Sequence, residues 1–271
     1  MTTLKFFLPQ LILGTLLGSM IAAMGVILVL RKKAFFGITV SQVISSSMAI
    51  SLFLGIQNEL FSLFFSCIIF IPLLFIFNLS EAEDTVLGII FVSFTAFTQI
   101  LLNFGGNVKN HIMSAYFGDI LTSQVKLNFT ILSIFIFCLI LFVYFYPRIL
   151  FLSFDRDEYI VRYGNPFLIE FSFYFCMTLI ISISVNILGS FYSVAHLLLP
   201  AFVGLFFARS MKFLFLFSIF FSIVFTVAGF ILSLQGFQYQ GNEIYLPTSS
   251  AIISLMSISS IILILIRKLV R

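Results

Sequence analysis

Nine apolar runs divide this chain almost from end to end, each close to the roughly 20 helical residues that cross a hydrocarbon core of about 30 Å. They are Phe6–Leu30, Phe35–Leu54, Leu60–Leu79, Val86–Phe104, Asn128–Tyr146, Phe167–Leu188, Phe191–Ala208, Phe213–Leu234 and Ser249–Ile266. In lipid the backbone has no water to bond, so a spanning segment closes its own hydrogen bonds as a helix or shares them around a closed barrel. Runs this long lack the short alternating pattern of barrel strands. The expected class is therefore all-α, a polytopic transmembrane helical bundle of 8 to 9 spans, read as one membrane domain over residues 1–271. Composition agrees, since 61% of the residues are hydrophobic and 9% charged, more apolar surface than a soluble domain hides. A soluble enzyme and a secreted disulfide scaffold are excluded.

The charges carry the orientation. Of 14 Lys and Arg, 11 fall in one set of loops (Arg31, Lys32, Lys33, Arg148, Arg156, Arg162, Arg209, Lys212, Arg267, Lys268 and Arg271) and 3 in the other (Lys5, Lys109 and Lys126). Basic residues near span ends stay cytoplasmic, which predicts an outer amino terminus and a cytoplasmic carboxyl terminus. The net charge of +4 then reflects topology, and nucleic acid is not an expected partner. Lys5 before an apolar run imitates a signal peptide, but the run is too long for one and ends in a basic stop, so it reads as a first span. Cys67, Cys138 and Cys176 lie in spans at irregular spacing and read as small buried hydrophobes. His111 reads as a surface residue of the outer segment Asn110–Lys126, whose moderately apolar stretch is long enough to dip into the membrane.

Among the loops, Pro147–Pro166 is the largest on the expected cytoplasmic side and mixes both charges. Its sequence predicts a short helix: Asp155 caps it, acids fill the first turn, Arg162 follows Glu158 by four, and Gly164 with Pro166 stops it. It suits either a solvated connector or a docking surface for another protein, with Phe154, Tyr159, Ile160 and Tyr163 as apolar contacts. No phosphate-binding G-x-x-x-x-G-K-[ST] loop occurs, so an ATP-driven role would need an ATPase on another chain.

Inside the spans polar residues are few. Gly14, Gly18 and Ala22 in the first span, and Ser41, Ser45 and Ala49 in the second, recur every four residues and mark seams for close helix packing. His196 sits mid-span, four residues before Pro200, a proline able to break the helix. An ionisable group there is costly and faces the bundle interior or a cavity. A neutral histidine bonded to a neighbouring helix and a transport ligand both satisfy that requirement.

In these residues the chain resembles the membrane permeases of ATP-binding-cassette importers for zinc, manganese and iron. Val29 to Gly37 is similar to that family's turn after the first span, and Glu83 to Gly88 to its acidic lead-in to the fourth. Tyr116 to Leu121 is similar to its motif before the fifth span, and Phe154 to Gly164 falls at its coupling helix. Gly189, Leu198-Leu199-Pro200-Ala201 and Leu246-Pro247-Thr248 follow in the family's order. The resemblance implies a homodimer of permeases, cytoplasmic ATP-binding subunits on the coupling helices and an extracytoplasmic metal-binding protein. It casts Phe154, Asp155, Glu158, Tyr159, Ile160, Arg162 and Gly164 as the ATPase-coupling residues, with Glu158 and Arg162 exposed. It implies no bound cofactor, only a transported divalent metal.

Two positions depart from the family. Where it has an aspartate and a histidine four residues later, this chain has Ile38 and Gln42. The i, i+4 spacing puts such a pair on one helix face, able to share a divalent ion. Ile38 has no donor atom and Gln42 only an amide. The family's usual transit ligands are thus lost at Ile38 and Gln42, and His196, with Gln42, Asn186 or Ser193, is the candidate replacement site. Competing expectations are a secondary transporter or channel, and a permease-derived membrane protein that no longer transports metal.

Overall fold

Charges that avoid the apolar runs cluster at helix ends in the structure, a computed structural model that describes residues 7–56, 65–69, 83–102, 118, 129–235, 237–239 and 242–270. The helices are α1 (Leu8–Leu30), α2 (Ala34–Phe53), α3 (Glu83–Leu102), α4 (Phe129–Phe154), α5 (Arg156–Tyr163), α6 (Phe167–Leu188), α7 (Ser190–Phe207), α8 (Met211–Ser233) and α9 (Thr248–Val270). Among the described residues eight helices, all but α5, are long and apolar enough to cross a membrane. Of the expected span Leu60–Leu79, residues 65–69 are helical and the rest lies outside the described residues. So do Lys5, Glu81, Lys109, His111, Lys126 and, apart from Gly118, the segment 110–126.

Two prolines lie within helices: Pro147, just past the fifth apolar run, and Pro200, inside the seventh and able to break it. α4 continues through Pro147 to Phe154, and α7 runs through Pro200. A proline removes one N–H from the ladder and crowds the carbonyl four residues back, a local cost that flanking apolar turns and neighbouring helices absorb in a membrane. Between α8 and α9 a small antiparallel hairpin, β1 (Phe237–Tyr239) and β2 (Asn242–Ile244), pairs Phe237 with Ile244.

Burial separates the helices. In α1 and α2 72% of the spanning window is buried, in α6 67%, but in α3 only 17% and in α4 11%. The last two present an apolar side to lipid or to another chain.

The chain forms two compact units. One comprises Met1–Val26, Met113–Lys126 and Ser184–Arg271. Its core holds Val203 of α7, Phe221 of α8 and Met256 of α9, with Leu199, Phe207 and Phe225 packed around them. α1 joins α7 through the predicted small-residue seam, which extends one turn further to Gly25. A Cβ at Gly25 would meet the Leu197 carbonyl, and one at Gly18 would lie 2.7 Å from His196 Cδ2 and from Tyr192 Oη. The glycines therefore admit the backbone and rings of α7, an intramolecular use of the seam.

The other unit comprises Ile27–Ile112 and Leu127–Ile183. Here α2 lies against α3, where the Ser46 and Thr98 hydroxyls approach to 2.7 Å. Phe36 of α2 packs on Tyr174 of α6 with ring centroids 4.7 Å apart. In lipid, association rests on such close packing and on interhelical hydrogen bonds averaging about 0.6 kcal/mol each.

Candidate functional site

The predicted loop helix is present as α5. Asp155 leaves α4 with extended backbone and its carboxylate accepts the Glu158 N–H at 2.8 Å, a cap of about 1 kcal/mol. Asp157 and Glu158 occupy the positive end and Arg162 the negative end. Gly164, at φ 81°, closes the helix by donating its N–H to the Ile160 carbonyl. Phe154, Glu158, Ile160, Arg162 and Tyr163 are exposed, and so, at 89%, is Val161, which the sequence reading passed over. Tyr159 faces the other way. It is 2% exposed, with its ring centroid 5.9 Å from Phe151 and 5.2 Å from Tyr163, so it seats the helix and presents no surface to a partner. An open groove of about 700 Å³ runs beside α5, lined by Arg156, Asp157, Ile160, Asn165, Phe167 and Glu170.

A charged cluster lies under this helix. Glu170, in the first turn of α6, has one carboxylate oxygen 3.9 Å from the Arg31 guanidinium and the other 3.6 Å from that of Arg156. Arg31 is held further: Nε donates to Ser153 Oγ at 2.8 Å, Nη2 to the Ile149 carbonyl at 3.3 Å, and its guanidinium lies 5.7 Å from the Phe173 ring centre. Its backbone ends α1 in a Schellman turn, with Lys33 N–H bonded to the Leu28 carbonyl, Lys32 N–H to Val29, and Lys32 at φ 58°. Glu170 is the one acid inside the nine apolar runs, and nothing in the sequence around it points to Arg31, which lies far off in the chain.

His196 belongs to a different kind of cluster, fully buried and uncharged. Its Nδ1 is 3.0 Å from the Tyr192 carbonyl and its Nε2 2.9 Å from Thr226 Oγ1 of α8. A carbonyl only accepts, so Nδ1 carries the proton and Nε2 of the neutral ring is an acceptor, sharing the single Thr226 hydroxyl proton with the Ser222 carbonyl 2.8 Å away. Tyr192 stacks on the imidazole with centroids 3.8 Å apart and donates its hydroxyl proton to the Gly14 carbonyl of α1 at 3.0 Å. Ser193 bonds Ser184 Oγ at 2.8 Å, and Asn186 is half-buried near the end of α6. The structure thus joins His196 to Tyr192, Thr226 and Gly14, and Ser193 to Ser184. Thr226 had no sequence signal beyond being a hydroxyl within a span.

Ile38 and Gln42 are in the other unit, four residues apart on α2. Ile38 is half-buried and Gln42 is 7% exposed. Thr39, Ser41, Ser45 and Ser46 beside them are also buried, so α2 carries hydroxyls and an amide where an ion-binding carboxylate and imidazole were sought. Among the described residues no three His, Cys, Asp or Glu gather as a metal site would require.

Three of the quoted motifs converge on one carbonyl. α6 and α7 are joined by Gly189 alone, at φ 92°. The preceding Leu188 carbonyl accepts from Ser249 Oγ at 2.8 Å, and a Cβ at Gly118 would strike it. Gly118 is suited to its place by close approach and a positive φ, and Gly189 by its positive φ.

Among the described residues, eight apolar spans with a capped helix exposed between two of them and a paired acid beneath it define a polytopic membrane protein. The comparisons with known proteins name the group. A sequence profile described as the ABC 3 transport family matches residues 3–267, and the chain belongs to that family. It is 26% identical over 234 residues to the high-affinity zinc uptake system membrane protein ZnuB of Haemophilus influenzae, covering 84% of this chain and 88% of that one. It is 27% identical over 211 residues to the manganese import system permease protein ScaB of Streptococcus gordonii, covering 76% and 74%. Its fold is similar to that of PsaBC from Streptococcus pneumoniae in complex with Fab, with a TM-score of 0.76, 24% identity, and coverage of 95% of this chain and 90% of that one. An inward-facing putative metal-chelate type ABC transporter gives 0.73 at 15% identity, covering 95% and 85%.

Proposed function

We propose that this chain is the permease subunit of an importer for a divalent transition metal ion, energised by ATP-binding subunits on separate chains. The exposed, doubly capped α5 carries the proposal, because a polar helix with Ile160, Val161 and Arg162 outward, beside the exposed Phe154 at the end of α4, is a docking surface attached directly to the spans. Zinc uptake and manganese import by the relatives support the substrate class. A second copy, an extracytoplasmic metal-binding protein and an orientation with the amino terminus outside complete the reading.

Within it, Gln42 is the pathway position and His196 a helix staple whose two ring nitrogens are already bonded. Wild-type protein reconstituted with its co-purifying ATPase should take up Mn²⁺ or Zn²⁺ only when ATP is supplied. Uptake driven by an ion gradient without ATP would replace this reading by a secondary transporter. ATP hydrolysis with no uptake of either metal would favour a permease-derived protein that has lost transport, an alternative that Ile38 and Gln42 specifically support. The double variant Ile38→Asp, Gln42→His should raise uptake. For His196→Ala, loss of uptake without loss of thermal stability would return the imidazole to the pathway along with Ser193 and Asn186.

A further inference from the structure

We infer that Glu170 is a positioning residue that ties α5 to the spans and passes its displacement to the ends of α1 and α4. This rests on the permease reading above. Glu170 has two carboxylate oxygens and gives one to each of two arginines from different elements, Arg31 at the end of α1 and Arg156 at the start of α5. The two sides of that bridge are unequal. Arg31 is fixed by Ser153, the Ile149 carbonyl, the Phe173 ring and the Schellman turn behind it. Arg156 is mostly in solvent, its side chain 57% exposed.

α5 therefore has two attachments. One is aromatic: Tyr159 and Tyr163 against Phe151, with Arg148 6.0 Å from the Tyr163 ring centre. The other is the ionic tether at its first residue. The backbone joins α5 to α4 through Asp155 and to α6 through residues 164–166, where Asn165 Oδ1 accepts the Phe167 N–H and Pro166 is buried, so the aromatic contact and the ionic tether are its side-chain restraints against rocking on those two joints. A push on the outer face of α5 loads the Arg156–Glu170 pair. Because the same carboxylate holds Arg31, that load reaches the last turn of α1 and, through Ser153 and Ile149, the last turns of α4.

The test uses the full chain in lipid nanodiscs and vesicles with its co-purifying ATPase. Backbone hydrogen exchange in residues 156–163 should speed up by about twofold in Glu170→Gln and in Arg156→Gln, within the range a part-exposed ion pair supports. Metal uptake per ATP hydrolysed, read with Mn²⁺ and Zn²⁺, should fall by a similar factor while the ATPase stays bound. Arg156→Lys should restore most of both. A purely structural ion pair would leave the uptake-to-ATP ratio at the wild-type value, and that result overturns the inference even if exchange rises. Unchanged exchange in both variants overturns it too. Should Glu170→Gln fail to fold, Arg156→Gln, altered on an exposed side chain, carries the test. A wild-type complex that moves neither metal strikes the permease reading instead, and the exchange comparison still decides the tether.

Discussion

The molecule holds two polar clusters built on opposite terms. Around His196 the side chains are neutral and fully buried within the spans, linked through Thr226, Tyr192 and backbone carbonyls. Around Glu170 the groups are charged, lie at helix ends, and are 15% exposed at the acid and 57% at Arg156. Ionised groups at the bilayer centre are expensive, so charge is kept where water still reaches it. The middle of the bundle is held by hydroxyls, an imidazole and close-packed backbone. The neutral cluster should act as a rigid joint between helices, and the charged one as a contact that salt and mechanical force can open.

Four variants would break or sharpen this contrast. The largest effect is expected for Gly25→Ala, since its Cβ would meet the Leu197 backbone and force α1 away from α7, at about 3 kcal/mol or more. Thermal unfolding of the detergent-solubilised protein checks it, and a wild-type midpoint would mean that the α1–α7 seam is soft. Next, His196→Ala empties a buried ring site and should cost about 2–4 kcal/mol in the same assay. Thr226→Val keeps the shape but withdraws the bond to Nε2, and should cost only about 0.6 kcal/mol, with the difference from wild type insensitive to salt. The smallest effect belongs to Arg156→Gln, within about 0.5 kcal/mol. Raising salt from about 0.05 to about 0.5 M shortens the screening length from above 10 Å to about 4–5 Å and should erase even that. A salt-sensitive Thr226→Val difference, or a salt-insensitive one for Arg156→Gln, would contradict the division into neutral and ionic clusters.

Much of the fold is legible along the chain because lipid imposes a local rule: a segment that crosses must close its own hydrogen bonds. Ends such as Leu30, Leu188 and Phe167 therefore fall where the apolar runs stop. The bounds of α5 were legible for a similar reason, as Asp155 and Gly164 act within one turn. What resisted reading was whatever depends on distant partners. Nothing near Glu170 announces Arg31, and nothing near His196 announces Thr226. Tyr159 looked like an exposed anchor from composition, but only the fold decides which side of an eight-residue helix meets Phe151. Pro147, just past an apolar run, and Pro200, inside one, are both carried within helices, because a single lost backbone bond is weaker than the packing on either side.

α4 has one further consequence. Its 26 residues make a rod of about 39 Å, while a bilayer core takes up only about 30 Å. The surplus must tilt or protrude, and α5 rides on the protruding end, one residue after Phe154. A thicker membrane takes up more of the rod and reduces its tilt. The standing height of the docking helix above the headgroups is thus set partly by acyl-chain length, which makes this chain a gauge of the membrane it occupies.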